Sequence, residues 1–156
     1  MIEESKLLIR KAIRADVQEI VRIIADNTIG RVREAYQENI PEVYYDAFDR
    51  ICDDKNQLLI VAIYKNKVVG TLQISFIQNM SVQGAYRALI ESMHVDSNFR
   101  GQNIGSFMMN WAIETAKAKK CNIVQLTSNK ERQKAHNFYR KFGFVATHEG
   151  FKMPLT

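Results

Sequence analysis

A short glycine-containing turn is the part of this sequence best suited to binding an anion. The stretch FRGQNIG, Phe99 to Gly105, separates an apolar run typical of a strand from one typical of a helix. A helix start leaves backbone N–H groups without intrahelical acceptors and carries partial positive charge, and glycine lets the loop approach a ligand closely. Gly101 and Gly105 stand where such a turn needs them. The turn is predicted to hold phosphate, although a tight connection without a ligand has a similar composition.

Two familiar phosphate-binding motifs do not fit this turn. The dinucleotide fingerprint would place a second glycine two residues after the first and an acidic residue after the next strand, and the P-loop would supply a lysine. Residues 79–156 carry a net charge of +6 and residues 1–78 one of −1, so the turn lies in the basic half. A phosphorylated cofactor, nucleic acid and a solvated basic face all agree with that charge. Nucleic acid is disfavoured, because no aromatic residues alternate with the basic ones to form a stacking platform.

Length and composition predict one globular domain, residues 1–156, with 46% apolar and 25% charged residues. The apolar run LLIVAIY is far shorter than the roughly 20 residues of a membrane span, and the start of the chain lacks a signal-peptide layout. A cytoplasmic location is expected. Cys52 and Cys121 have no metal-ligand spacing and are expected to be reduced, partly buried thiols. Three scattered histidines predict no metal site.

Hydrophobic periodicity and turn residues predict the elements that must position this turn. A tight KNK turn joins the two strands of a predicted hairpin, and Asp16 is the predicted N-cap of the first helix. Residues 30–39 are predicted to be the most mobile segment. Strands are expected at 7–14, 56–64, 68–78, 86–95, 121–128 and 144–155, and helices at 14–27, 40–54, 104–120 and 130–143, the last closed by Gly143. This order predicts an α/β fold with a mixed sheet.

The turn and its flanks resemble the acetyl-CoA-binding core of the Gcn5-related N-acetyltransferase (GNAT) superfamily. The resemblance rests on Arg100 and Gly105 in the turn and on the FYRKFGF segment, 138–144, over about the last seventy residues. Asn103 stands where the family usually has glycine, and asparagine tolerates the left-handed conformation. RGQNIGS, TSN, AH-x-FY and Thr147-His148 are also similar to aminoalkylphosphonate N-acetyltransferases. The first half of the chain, which in this superfamily forms much of the acceptor pocket, offers no match.

The resemblance implies a single GNAT-like domain with a mostly antiparallel sheet, helices on both faces and acetyl-CoA in the cleft between two splayed parallel strands. It implies that the backbone of Met93, His94 and Val95 pairs with the pantetheine arm of acetyl-CoA. The N–H groups of Gln102, Asn103, Ile104, Gly105 and Ser106 would bind its pyrophosphate. Further cofactor contacts are implied for Arg100, Gly101, Asn129, Arg132, Ala135, His136 and Tyr139. Arg100, Arg132 and Lys134 are candidates for the remaining phosphates, with solvated surface cations as the alternative.

Two catalytic residues are implied by the same resemblance. An alkylamine with a pKa near 10.4 is unprotonated in only about one molecule in a thousand at pH 7, so a base must assist the transfer. Glu91 is the candidate base, and strict alternation puts it on the same face as Met93 and Val95 and away from His94. Its alternative is a strand-edge carboxylate that pairs with a cation. Tyr139 is the candidate proton donor to the thiolate leaving group, with a core aromatic as the alternative.

The predicted function is acetyl transfer from acetyl-CoA to a primary amine by direct attack in a ternary complex. A small-molecule acceptor is preferred, since acidic residues of the first half would attract a cationic amine, with a solvated helix face as the alternative explanation of their charge: Glu34, Glu38, Glu42, Asp46 and Asp49. The alternatives are a protein lysine or N-terminal acetyltransferase and a nonenzymatic acyl-CoA-binding sensor. Homodimer formation is open, and no membrane partner is expected.

Overall fold

The computed structural model describes residues 1–26 and 34–156, which group into two units, Met1–Gln125 and Leu126–Thr156. The predicted mobile segment therefore lies partly outside the described residues, from position 30 to 33. The strands are β1 (Leu7–Lys11), β2 (Gln57–Tyr64), β3 (Lys67–Gln78), β4 (Tyr86–Val95) and β5 (Ile123–Leu126). The helices are α1 (Val17–Asp26), α2 (Val43–Asp53), the single turn α3 (Ser81–Gly84), α4 (Ile104–Ala118) and α5 (Gln133–Lys141).

The five strands form one sheet in the order β1-β2-β3-β4-β5. The first four are antiparallel neighbours, and the hairpin of β2 and β3 turns at Lys65 and Asn66. Both turn residues have positive φ, 48° and 62°, as a type I′ hairpin turn requires. The predicted α/β fold with a mostly antiparallel sheet is confirmed.

One face of the sheet is covered by α1 and α2, whose apolar residues share a buried cluster with Val61 of β2. The entry to α1 is held by buried Asp16, which accepts hydrogen bonds from both terminal guanidinium nitrogens of Arg10 at 2.6 and 3.0 Å. The carboxylate also accepts the N–H of Ile13 at 2.8 Å. Asp16 therefore fixes the corner between β1 and α1 by binding residues that precede it in the chain. The sequence predicted instead that Asp16 would cap the N-terminus of α1.

The opposite face is covered by α4, which packs on β3 and β4. Gly70 of β3 makes this contact possible, since a Cβ there would lie only 2.6 Å from the sulfur of buried Met108. Gly70 pairs with Ala62, whereas the adjacent Thr71 pairs with Val61 on the face of α1 and α2. Helices therefore lie on both faces, as the resemblance implied.

The second unit contains α5 and the chain that follows it. Gly143 has a φ of 90° and ends the helix in the left-handed conformation, as predicted. The predicted strands at 144–155 are wrong, because the described backbone from Phe144 to Thr156 has no strand. A strand exists only with a hydrogen-bonded neighbour, and β-rich composition alone does not supply one.

The helices of the described residues are too short or too polar for a membrane span. None of those within residues 1–26 and 34–156 has enough consecutive apolar residues to cross a bilayer.

Candidate active site

The turn between β4 and α4 has the backbone geometry of an anion-binding helix start. Asn103, directly before α4, adopts the left-handed conformation with φ 63° and ψ 4°, which asparagine tolerates better than other non-glycine residues. Its carbonyl oxygen accepts the N–H of Phe107 at 3.0 Å, so the helix is hydrogen-bonded from its first turn. The Asn103 side chain makes no capping hydrogen bond. The first N–H groups of α4 therefore depend on a ligand or solvent for acceptors.

Gly101 introduces a second left-handed residue into the turn, with a φ of 74°. A Cβ at this position would meet no atom within 4 Å, so the requirement for glycine is conformational and not steric. Two left-handed residues, Gly101 and Asn103, within three positions bend the chain sharply. They direct it from the end of β4 into the axis of α4.

Asp96, the first residue after β4, anchors this turn to the rest of the fold. Its buried carboxylate accepts hydrogen bonds from the Arg22 guanidinium of α1 and from the Asn98 backbone and side-chain nitrogens at 2.9 and 3.1 Å. Its carbonyl oxygen accepts the N–H of Phe99 at 2.9 Å. The charge of Asp96 thus ties α1 to the start of the turn.

Burial and hydrogen bonding act in opposite directions on this ion pair. Burial opposes the charged form of Asp96, but the hydrogen bonds from Arg22 and Asn98 outweigh it and lower the carboxyl pKa below its ordinary value of 3.8. Burial likewise opposes the charge on Arg22, but hydrogen bonds to Asp96 and Glu19 raise its pKa further. Both groups are charged at neutral pH, and their attraction stabilises the folded state.

We expect Asp96→Asn to lower the free energy of unfolding by about 3 kcal/mol at pH 7, because it leaves a partly buried guanidinium without its buried partner. A carboxyl whose pKa is lowered by folding stabilises the protein above its unfolded pKa and loses that contribution as the pH falls through the folded value. The difference in the free energy of unfolding between wild type and variant should therefore shrink below about pH 4. Denaturant unfolding at several pH values measures it.

Asp26→Asn is the matched control for this prediction. Asp26 contacts the same guanidinium at 3.6 Å, but its side chain is 47% exposed. An exposed pair of this kind contributes about 0–1 kcal/mol. Equal losses from both variants would contradict the anchoring role of Asp96.

A β-bulge in β4 changes the faces that simple alternation assigns. Glu91 pairs with Gln73, and His94 pairs with Thr71. Between these two pairs β3 has one residue and β4 has two, so β4 carries one extra residue. Ser92, inside the bulge, has a φ of 48°. The extra residue puts Glu91 and His94 on the same face, that of α1 and α2, whereas Val95 pairs with Gly70 on the face of α4. The predicted face shared by Glu91 and Val95 is therefore wrong, and so is the opposite face predicted for His94.

The short strand β5 lies beside the beginning of β4. The Tyr86 carbonyl oxygen accepts the N–H of Asn122 at 2.7 Å, and the Arg87 side chain donates to Gln125 at 2.9 Å. β4 has ten residues and β5 has four. The segment Met93–Val95, to which the resemblance assigns the pantetheine arm, belongs to the far end of β4.

A pocket of about 110 Å³ opens between α1, α2 and the sheet. Residues of β2 and β3 form its floor, and Ser92 of the β4 bulge also lines it. Exposed Glu91 is the neighbour of Ser92 along the chain. The bulge therefore brings the candidate base to the edge of a pocket that the sequence did not predict.

Within the second unit, the structure brings three of the predicted cofactor residues together at the start of α5. The carbonyl oxygen of Asn129 accepts the N–H of Arg132 at 3.0 Å and a ring N–H of His136 at 2.8 Å. Its side-chain oxygen accepts the N–H of Glu131 at 2.9 Å. Asn129 thus organises the entry to α5. Ala135 is half-buried in the first turn of that helix, and Lys134 beside it is exposed.

Tyr139 lies in an aromatic cluster of the second unit. Its ring contacts Phe138 and Phe144 in edge-to-face geometry, with centroids 5.5 and 6.1 Å apart. The Tyr139 carbonyl oxygen also accepts the N–H of Phe144 at 3.2 Å, which ties the chain after α5 back to the helix. Burial raises the pKa of the phenol, and Arg132 opposes this effect. The hydroxyl is therefore protonated at neutral pH and able to donate.

Sequence reasoning missed the role of Asp96 and the bulge at Ser92 as well as the pocket, and only Asp96 had a local signal in the sequence. Asp96 directly follows a predicted strand and precedes Asn98 by two positions, the spacing of a turn in which an aspartate accepts the second following N–H. The bulge at Ser92 had no such signal, since its segment contains neither glycine nor proline.

The comparison with protein families decides the identity of this fold and site. A sequence profile described as "Acetyltransferase (GNAT) family" matches residues 24–144. The chain belongs to the acetyltransferase (GNAT) family. GNAT proteins use acetyl-CoA and transfer its acetyl group to an acceptor, so this chain is an acetyltransferase.

Two curated relatives of the chain are described as N-acetyltransferases, and a solved structure shares its fold. The chain is similar to an aminoalkylphosphonate N-acetyltransferase of Salmonella typhimurium, with 27% identity over 114 residues that cover 73% of each chain. It is 42% identical over 144 residues to an uncharacterized N-acetyltransferase of Methanocaldococcus jannaschii, covering 81% of this chain and 64% of the relative. A crystal structure described as a transcriptional regulator from Bacillus halodurans has a TM-score of 0.92 and 44% identity, and covers 96% of this chain and 99% of its own.

Proposed function

We propose that the chain acts as a single N-acetyltransferase domain, residues 1–156, that moves the acetyl group of acetyl-CoA to a primary amine of a small molecule. The observation that supports this most is the left-handed Asn103 before α4, because it leaves the start of that helix without a side-chain cap and suited to an anion such as a diphosphate. In this proposal Gln102 to Ser106 bind the pyrophosphate through backbone N–H groups, and Arg100 and Gly101 belong to the same turn. Met93, His94 and Val95 pair with the pantetheine arm as a strand would.

The proposed reaction is direct attack within a ternary complex. The amine nitrogen forms a C–N bond to the thioester carbonyl carbon, the C–S bond breaks, and the electron pair leaves with the CoA sulfur. Glu91 takes the proton of the amine, and Tyr139 donates a proton to the sulfur. Main-chain N–H groups of β4 stabilise the charge that develops on the carbonyl oxygen.

The cysteines support direct attack over a covalent acetyl-enzyme. Burial raises the pKa of Cys121, with Lys119 opposing. Partial loss of hydration also raises the pKa of Cys52, and the charges of Asp49 and Asp53 add to that effect. Both are therefore thiols at neutral pH, whereas a nucleophilic cysteine needs its thiolate. Cys52 is exposed, which corrects the expectation that it is partly buried.

The Tyr139→Phe variant tests the proton donor. We expect it to lower kcat by roughly 10- to 100-fold while the affinity for acetyl-CoA changes less than threefold, because only the hydroxyl is removed and the aromatic packing is kept. Steady-state rates and calorimetric titration with acetyl-CoA measure the two quantities. The control is Tyr36→Phe, which removes a hydroxyl from an exposed tyrosine. Equal kcat values for Tyr139→Phe and wild type would remove Tyr139 from the mechanism.

The function itself is tested by incubating acetyl-CoA with a panel of primary amines. Released thiol and the mass of the acetylated amine are measured together, so that simple thioester hydrolysis is not counted as transfer. Transfer to a peptide amine alone would support the protein-acetyltransferase alternative. Binding of acetyl-CoA without transfer to any amine would overturn the proposal and support the sensor alternative.

A further inference from the structure

The pocket between α1, α2 and the sheet has a chemical character that restricts the acceptor. Its walls are hydrocarbon or aromatic side chains from three elements. They include Ile20, Ile24, Tyr44, Phe48, Ile51 and Leu59. Among the described residues that line the pocket, none carries a charge.

The polar groups at the floor of this pocket already hydrogen-bond within the protein. The Thr71 hydroxyl donates to the Ile60 carbonyl oxygen at 2.9 Å, and the Gln73 amide donates to the Gln57 side-chain oxygen at 2.7 Å. A charged or strongly polar group placed here would lose its hydration and gain few partners in return. An apolar group would gain by leaving water.

The acidic residues of the first half do not alter this character. Arg14 contacts the carboxylates of Glu42 and Asp49 at 3.0 and 2.6 Å, and Glu34 accepts the Tyr44 hydroxyl at 2.9 Å. None of these three carboxylates lines the pocket. The attraction of a cationic acceptor, which the sequence favoured, therefore has no support in the pocket lining.

We infer that the acceptor is a primary amine that carries a compact apolar body, and this inference rests on the proposed function. The pocket volume of about 110 Å³ suits a group on the order of one benzene ring. With that body among the α1 and α2 side chains, the amine lies toward Ser92, beside Glu91 and Met93. The amine nitrogen then forms the C–N bond as the C–S bond breaks, with its proton passing to Glu91 and the thiol released.

The test compares acceptors that share a primary amine and differ in the rest of the molecule. With acetyl-CoA, 2-phenylethylamine should show a kcat/KM at least about 10-fold above that of ethanolamine and of 2-aminoethylphosphonate, since hydrophobic pockets discriminate to this extent. Equal or higher values for the hydroxylated or phosphonate amine would overturn the inference while leaving the proposed function intact. No transfer to any amine, with acetyl-CoA bound, would overturn both.

A pocket-filling variant makes the test specific to this location. Ala47 lines the pocket and is exposed, so Ala47→Trp fills the space without entering the core. We expect it to lower the ratio of kcat/KM for 2-phenylethylamine to that for ethanolamine by about 10-fold, mainly through the KM of the apolar amine. Val43→Trp is the matched control, because Val43 is exposed on the same helix and outside the pocket lining.

A changed ratio in Ala47→Trp with an unchanged ratio in Val43→Trp supports the inference. An unchanged ratio in both variants would overturn it. Circular dichroism checks that each variant is folded, and a misfolded Ala47→Trp is replaced by Ala47→Leu, which occupies part of the same space. The ratio of kcat/KM for 2-phenylethylamine to that for ethanolamine in the wild-type protein tests the inference even if neither variant folds.

Discussion

Gly105→Glu is expected to weaken acetyl-CoA binding on the order of 100-fold or more, because it places a carboxylate where the turn is proposed to hold the diphosphate. Gly105 is the second residue of α4, directly after Asn103 and Ile104. The new carboxylate would accept hydrogen bonds from the N–H groups assigned to the pyrophosphate. Its negative charge would also repel the pyrophosphate from them. Isothermal titration with acetyl-CoA measures the loss.

The same substitution should not destabilise the protein, which separates lost binding from lost folding. An acidic side chain in the first turn of a helix interacts favourably with the helix dipole by about 0.3–1 kcal/mol. Replacement of glycine inside a helix also raises helix propensity. We therefore expect an unchanged or slightly higher melting temperature for the variant without ligand.

Two matched variants separate charge from size and from position. Gly105→Gln adds a side chain of the same shape without the charge, and we expect it to weaken binding less than Gly105→Glu. Asn110→Glu adds the same charge to an exposed position further along α4 and should leave the affinity unchanged. An unaltered affinity in Gly105→Glu would place the diphosphate elsewhere and contradict the turn assignment.

The sequence predicted the parts of this fold that local chemistry determines. Lys65 and Asn66 form the hairpin turn, and Gly143 ends α5, because each position needs a left-handed residue or a tight turn. Asn103 is predictable for the same reason, since asparagine is a common non-glycine residue in that conformation. Such features are encoded within a few neighbouring residues.

Features that depend on distant partners were not predictable. The bulge at Ser92 arises from the pairing of β4 with β3, and a single extra residue reverses the faces of everything after it. The terminal segment after Phe144 has strand composition but forms no strand, since composition does not provide a hydrogen-bonding neighbour. The pocket joins residues of α1, α2 and three strands, and no local pattern brings those together.

Glu91 is the second position at which a large effect is expected. We expect Glu91→Gln to lower kcat by about 100-fold or more at pH 7, because an acceptor amine is mostly protonated there and loses its base. The structure supports this role through the exposed carboxylate beside Ser92 and opposite Gln73, both of which line the pocket. The neutral amide keeps the shape of the side chain, so the affinity for acetyl-CoA should remain within about threefold of wild type.

The pH dependence of the loss of kcat in Glu91→Gln distinguishes a base from a group that only binds the acceptor. Near the pKa of the amine, about 10.4, the acceptor loses its proton to solvent and needs less help. The ratio of wild-type to Glu91→Gln kcat should therefore narrow above about pH 9, and rates across the pH range measure it. Glu114→Gln, an exposed glutamate of α4 that pairs with Lys117, is the control and should match wild type throughout. A deficit that stays constant with pH would make Glu91 a binding residue, and the absence of any deficit would place the base elsewhere.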